Sequence, residues 1–507
     1  MTPRSLHAPA APHPDPDPPP PLLAPEETCW RVAQADRFGM IVDCEDYFAA
    51  FREACLAARR RIFLVGWDFD TRVRLLTRNP RDGWSVKVGR FLTELVDRRP
   101  DLHLYILKWD VAFFTFFRQN PWPIRAIQWK LAKRVHFKLD GEHPFGSCHH
   151  QKVVCIDDRF AMVGAIDITR GRWDTRAHRD NDRRRITPGG SRYNPHHDVS
   201  SAVDGEAAQA LGELCRDRWR RATGEVLEPV PQDETPADVF PWPQAAPVHA
   251  RTLPVAIART LPPWQDQAGI FEIEAMTLRA IARARRLIYL ENQYFASRVV
   301  VEALAERLRE ADPPEVVVIN PLNASGWLEQ TTMDTARVLA VTACRAADHA
   351  GRFRIYCPVT QKGRPIYVHS KVTIIDEDLL RVGSANVNNR SMGFDSECDL
   401  AVAPGAEEHE SRAMIRGRLL DLLAEHLDVG EDDLTAAWQR CGRLIPAIEA
   451  LRRDQGRTLR PLEVAAPEEL DGIDSFVIHT QIADPERPEK PWRYLKSRAR
   501  GLFTLRW

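Results

Sequence analysis

Two periods of apolar and polar positions take turns along the chain. DYFAAFREACLAARRR (46–61) places apolar residues three and four apart, which predicts a helix with one buried face, and the continuous apolar run IFLVGWDFD (62–70) behind it predicts a buried strand. Shorter apolar runs, CWRVAQ (29–34), LHLYILKWD (102–110) and VHFKL (135–139), predict further strands. The proline-rich passage 225–247 interrupts this order and reads as a connector. Then the order begins again: PVAIART, the helical segment 270–286, and the strands LIYLENQYF (287–295), VVVIN (316–320) and FRIYCPV (353–359).

Strands alternating with helices predict an α/β fold, and the second run predicts a duplication. The expected architecture is two tandem α/β halves related by a pseudo-twofold axis, each a mixed, mostly parallel sheet flanked by helices. The boundaries read as a mobile proline-rich leader (1–27), a first half (28–224), the connector (225–247), a second half (248–430), and a C-terminal helical region with a basic, aromatic tail (431–507).

The duplication is sharpest in HQKVVCIDDRFAMVGAID (150–167), which aligns without a gap on HSKVTIIDEDLLRVGSAN (369–386) at a constant offset, 369 − 150 = 219. His150 and His369, Lys152 and Lys371, Asp157 and Asp376, and Gly164 and Gly383 superpose. Chance supplies on the order of 0.02 such H-x-K-x4-D patterns in a chain of this length. Lysine is also scarce, ten of the 70 basic residues, so a lysine at fixed spacing carries information. Within each motif, alternation along a strand points histidine and lysine to the same side. An imidazole near its ordinary pKa of about 6.5 can attack phosphorus or protonate a leaving oxygen, and an ammonium can neutralise a non-bridging oxygen. Asp157 and Asp376 complete each set but end their strands, where bracing the loop is the expected role.

Composition narrows the choice. With 44 % hydrophobic and 28 % charged residues and a net charge of −1, the 507-residue chain has a sizeable core and no overall field for a polyanion. Ten scattered cysteines form no zinc or disulfide pattern. No apolar stretch of spanning length and no secretory leader is visible, so the expected location is cytoplasmic or peripheral to a membrane.

The paired motifs resemble the phospholipase D superfamily. VGWDFD (65–70), GRWDT (171–175), YNPHHDV (193–199), LENQYF (290–295) and GSANVNNRSMGFDSECDLAV (383–402) resemble its phosphatidylcholine-type branch. The resemblance implies one active site shared by two halves, and ping-pong chemistry with no cofactor and no required metal. It implies His150 as nucleophile, His369 as acid and then base, Glu397 orienting His150, and Asp198 orienting His369. It also implies phosphate contacts from Ser384 and Asn386, with Asp167 and the Gly164–Ala165 pair as first-half counterparts of Asn386 and Gly383–Ser384. The implied activity is hydrolysis of glycerophospholipids of the phosphatidylcholine or phosphatidylethanolamine type to phosphatidic acid, with transphosphatidylation as a variant.

The expected partners are the lipid and a membrane surface, with no nucleic acid, and the expected state is a monomer. The aromatic, basic stretches 111–134 and 492–507 are candidates for resting on the interface, and packing against the enzyme's own domain competes with that reading. Competing functions are a cardiolipin-synthase-like phosphatidyltransferase, a nuclease of the same superfamily, and a non-catalytic scaffold.

Overall fold

The computed structural model describes residues 20–110, 133–232, 240–323, 327–464 and 484–487. The first half contributes β1 (Arg31–Val42), β2 (Arg61–Gly66), β3 (His103–Trp109), β4 (Val135–Asp140), β5 (Val153–Ile156), β6 (Phe160–Gly164), β7 (His196–His197) and β8 (Val199–Asp204). The second contributes β9 (Ala250–Leu261), β10 (Ile270–Phe271), β11 (Leu287–Asn292), β12 (Glu315–Ile319), β13 (Phe353–Val359), β14 (Tyr367–Val368), β15 (Lys371–Ile375), β16 (Leu379–Gly383) and β17 (Glu397–Val402), and β18 (Thr458–Pro461) follows.

All but β7 and β14 join one sheet, ordered β18-β13-β12-β11-β15-β16-β17-β9-β1-β8-β6-β5-β2-β3-β4, with β10 on β9. Outward from the central β9–β1 pair, each strand from β17 to β13 on one side has its counterpart from β8 to β4 on the other, and β18 extends the second-half edge by one more strand. The duplication extends to register: Val153 faces Val163 in the first half, and Val372 faces Val382 in the second.

The expectation of mixed α/β halves flanked by helices holds, but the mostly parallel pairing does not. Parallel ladders are confined to β2–β3–β4 and β11–β12–β13, and the other ladders of this sheet are antiparallel. Connection length explains the split. A helical crossover, Val88–Arg98, separates β2 from β3, whereas only residues 157–159 separate β5 from β6, a loop too short for anything but a hairpin.

One core spans both halves. The helices Gly205–Thr223 and His409–Leu427 bury Leu211, Trp219, Leu419 and Leu423 against Phe63, Tyr289 and Val317 on one face of the sheet. The opposite face carries a separate core for each half. The segments expected to stand apart also pack. Leu22 and Leu23 lie against the second-half core, and Pro21 accepts a hydrogen bond from Arg279, so residues 20–27 are not a free leader. In the connector, Phe240 stacks on Phe160 at 5.4 Å. Most of the first aromatic stretch (111–132) and all of the second (492–507) lie outside the described residues.

Asp157 and Asp376 hold the hairpin ends together. Each has a left-handed backbone (φ 52 and φ 50), a region that aspartate tolerates better than most residues. The Asp157 carboxylate accepts from the backbone N–H groups of Arg59, Arg60 and Arg61 at 2.6 to 2.8 Å. Asp376 accepts from Arg285, Arg286 and Leu287 at 2.8 to 2.9 Å. Both aspartates are therefore struts that start β2 and β11, and their grouping with the reacting residues is corrected here. Asp157→Ala strands three backbone donors. The expected cost is about 1–3 kcal/mol, read as a lower midpoint in thermal unfolding, with little change in activity per folded molecule.

Candidate active site

Each motif histidine is fastened to the opposite half twice. The backbone N–H of His150 donates to the Ser396 carbonyl at 2.9 Å, and that of His369 donates to the His197 carbonyl at 2.8 Å. The residue after each carbonyl supplies a carboxylate. His150 Nδ1 lies 3.0 Å from both oxygens of Glu397, and His369 Nδ1 lies 2.8 Å from Asp198 Oδ2. The short parallel ladder β7–β14, pairing His196 with Tyr367 and His197 with Val368, sets the second of these crossings. With Nδ1 donating to a carboxylate, each ring keeps Nε2 as its reactive atom.

The two sets share one electrostatic site. Burial above all, then Lys152 and Lys371, holds His150 well below the ordinary histidine value. Burial, Arg172 and Lys371 do the same to His369. Both imidazoles are therefore neutral in the free protein at pH 7. Burial pushes the Glu397 carboxyl up to about 8, with Lys152 and the Ser384 and Ser391 hydroxyls pulling the other way. Its hydrogen-bond set, two hydroxyl donors and the imidazole N–H, is that of an ionised carboxylate, and this is the state the geometry supports. Asp198 is held well below the usual carboxylate range: burial opposes ionisation, but His369 and His196 outweigh it.

Lys152 Nζ donates to the His150 carbonyl at 2.8 Å and stands 3.5 Å from Asp167 Oδ2. Lys371 Nζ donates to the His369 carbonyl and to Gln293 Oε1 at 2.9 Å. Burial pushes Lys371 down to about 7, with Lys152 and Arg172 adding to it and Asp198 and Glu397 opposing.

The remaining expected residues divide. Asn386 is buried with its side-chain oxygen unpartnered, and Asp167 Oδ2 likewise accepts no hydrogen bond. Ser384 is fully buried and its hydroxyl donates to Glu397, so it acts behind the carboxylate and is corrected from a phosphate contact. Gly164 and Gly383 are also corrected. A Cβ at Gly164 would meet Ser200 Oγ at 2.4 Å, and one at Gly383 would meet Asp399 Cα at 2.5 Å, so the close approach that requires glycine is to the neighbouring strand.

Three residues of the site escaped sequence reasoning. Arg172, inside GRWDT, acts on His369 and Lys371 and keeps Nε buried without a hydrogen-bond partner. Gln293, inside LENQYF, holds Lys371. Ser391 donates to Glu397 at 2.6 Å. All three lie in runs whose family likeness was visible, Ser391 in GSANVNNRSMGFDSECDLAV (383–402). Ser391 has no spacing signal.

These features define a class, a duplicated α/β protein whose two halves complete one another's histidines. Residues 277–411 match the family described as "Cardiolipin synthase, PLD-like domain". The chain is 26 % identical over 436 residues to Phospholipase D A of Dictyostelium discoideum, which covers 71 % of this chain and 32 % of that protein. It is 24 % identical over 526 residues to Phospholipase D alpha 1 of Carica papaya, covering 76 % of this chain and 64 % of the relative. This chain thus spans less than two thirds of the length of either relative. A solved structure, the phosphatidylserine synthase of Haemophilus influenzae Rd KW20, shares the fold with TM-score 0.53 and 11 % identity over 92 % of this chain and 95 % of that one. The chain is thus similar to proteins of the phospholipase D superfamily over most of its length.

Proposed function

We propose that the protein is a phospholipase D that hydrolyses glycerophospholipids of the phosphatidylcholine or phosphatidylethanolamine type to phosphatidic acid and the free headgroup alcohol. The observation that carries this reading is the crossed arrangement of carboxylates, which leaves Nε2 reactive on one imidazole from each half. His150, neutral and with Nδ1–H held by Glu397, attacks phosphorus through Nε2 as the bond to the headgroup oxygen breaks. The leaving oxygen takes a proton from His369 Nε2. His369 is neutral in the free protein, so its acid form depends on the negative charge of the bound diester together with Asp198. His369 then removes a proton from water, the new oxygen attacks phosphorus, and the P–N bond breaks to restore His150. An alcohol in place of water gives transphosphatidylation. Lys152, Lys371 and Arg172 offset the charge on the non-bridging oxygens.

The substrate class requires work at a membrane surface, as a peripheral protein and, with both halves of the site in one chain, as a monomer. Among the described residues no helix is long and apolar enough to cross a membrane.

Purified protein incubated with mixed phospholipids and a little ethanol is expected to yield phosphatidic acid and phosphatidylethanol by mass spectrometry. Cardiolipin as the product would select the phosphatidyltransferase reading, cleavage of DNA without lipid turnover the nuclease, and inactivity on both the scaffold.

The pH profile tests the lysine. The Lys371 ammonium is present below about 7 and lost as pH rises through it, so kcat/KM falls on the alkaline side near that value. A bound diester anion restores the ammonium, and the same limb in kcat lies higher. Lys371→Arg, whose charge does not titrate in this range, removes the limb. An unchanged alkaline limb in that variant would assign it to another group.

A further inference from the structure

Behind the His369 side of the site, four buried side chains converge on one point without any part in the proposed chemistry. His178 and His197 are fully buried, and Asp43 and Glu425 nearly so. His178 Nε2 lies 3.1 Å from Glu425 Oε1 and 3.5 Å from Asp43 Oδ2. His197 Nδ1 lies 3.0 Å from Glu425 Oε1 and 3.3 Å from Asp43 Oδ1. These spacings bracket the edge of about 3.3 Å that tetrahedral ligands make around an ion with bonds near 2.0 Å. Asp43 Oδ2 is buried with no hydrogen-bond partner although it is aimed into this group.

We propose that Asp43, His178, His197 and Glu425 bind one divalent transition-metal ion, zinc by its two-nitrogen, two-oxygen tetrahedral set, as a structural staple between the two halves.

The surrounding groups match what metal-bound histidines require. The second nitrogen of each ring faces a carboxylate: His178 Nδ1 lies 3.1 Å from Asp174 Oδ2, and His197 Nε2 lies 2.6 Å from Glu291 Oε1. Glu425 uses one oxygen toward the group, while its other is held at 2.6 Å by Arg176 Nε. Charge points the same way. Asp43, Asp174, Glu291 and Glu425 bring four negative charges, while Arg176 on Glu425 and Arg185 on Asp174 return two. One divalent cation closes the difference with both imidazoles neutral. The neighbouring trio His197, Glu291 and His426 is a weaker candidate, because its 2.6 Å spacing is that of a charge-assisted hydrogen bond and too short for two ligands of one ion.

All four positions are filled by protein, so the ion is not open to substrate. Three ligands belong to the first half, and Glu425 comes from the second-half helix His409–Leu427. His197 is also the residue whose carbonyl receives the His369 N–H, and Asp198 follows it. The ion therefore fixes the segment that orients His369.

The test is metal content and uptake, read independently of lipid turnover. Full-length protein as purified is expected to carry about one zinc per chain by inductively coupled plasma mass spectrometry. After chelation and gel filtration it should take up Co2+ with the intense visible bands of a tetrahedral site, and Zn2+ should displace the colour and raise the thermal midpoint. His178→Gln should lose the stoichiometric metal, and His426→Gln should keep it. If His178→Gln does not fold, the Co2+ spectrum of the wild-type protein still decides. Protein that is metal-free as purified and takes up neither ion, with no spectrum and no thermal shift, would overturn the proposal and leave two extra protons holding the cluster. Metal bound equally by His178→Gln would place it elsewhere and overturn it as well.

Discussion

His150→Ala is expected to lower phospholipid turnover by on the order of 10⁴-fold or more and to abolish a covalent intermediate. The size follows from what else stands near the phosphorus. The Lys152 ammonium is committed to the His150 carbonyl and Asp167, and the two serine hydroxyls beside Glu397, Ser384 and Ser391, are spent on that carboxylate. Rapid acid quenching after mixing with phosphorus-labelled lipid is the measurement. Wild-type protein should retain label on the chain, and His150→Ala should retain none. Glu397→Gln separates the nucleophile from its support. The amide can still meet the ring but no longer fixes the Nδ1–H tautomer by charge, so turnover should drop on the order of 10²- to 10⁴-fold while label is still trapped, more slowly. Label persisting in His150→Ala would place the nucleophile elsewhere.

The pairing behind that prediction shows where sequence reading reaches and where it stops. The histidine–lysine motifs are local, so strand alternation and an exact repeat expose them. Their carboxylate partners lie 247 and 171 residues away, and no spacing rule links such positions. The likeness of SECDLAV and HHDVSSAV to a known family pointed to them, supported by the Ala-Val pair that follows each acid at the same distance, Ala202-Val203 and Ala401-Val402. The sheet shows a different limit. Strand–helix alternation implied mostly parallel pairing, which β2–β3 and β11–β12 have, but the hairpins β5–β6 and β15–β16 have turns too short for helices, and these inner strands are antiparallel. That signal was in the sequence, in the few residues after Ile156 and Ile375. Glycine misled for a related reason, whereas the aspartates brace their loops as expected. Gly164 does mark a close backbone approach, but the neighbour is the protein's own backbone and not a ligand. Arg172 and Gln293 were hidden by their loops, because Arg172 gains meaning only from His369 and Lys371 of the opposite half, and Gln293 only from Lys371, 78 residues along the chain.

His369→Asn should divide the reaction into its two steps. A choline or ethanolamine leaving group departs as an alkoxide unless protonated, so loss of the acid is expected to slow hydrolysis of natural lipids by on the order of 10²- to 10⁴-fold. A p-nitrophenyl ester needs no such proton, and attack by His150 on it should survive largely intact. The second step cannot be spared in this way, because water still requires a base and asparagine has none to offer at neutral pH. The variant should therefore release p-nitrophenol in a burst close to one equivalent per chain, followed by a slow steady state, with labelled intermediate persisting long after the wild-type signal has decayed. The contrast with His150→Ala, which should show neither burst nor label, assigns the two imidazoles to opposite ends of the same displacement. The asparagine amide N–H can donate to Asp198 in place of the ring and fits the space of the ring, so the carboxylate behind it is not left facing a cavity. Wild-type hydrolysis of natural lipid by His369→Asn would remove that residue as the acid, and a burst without slow decay would remove it as the base.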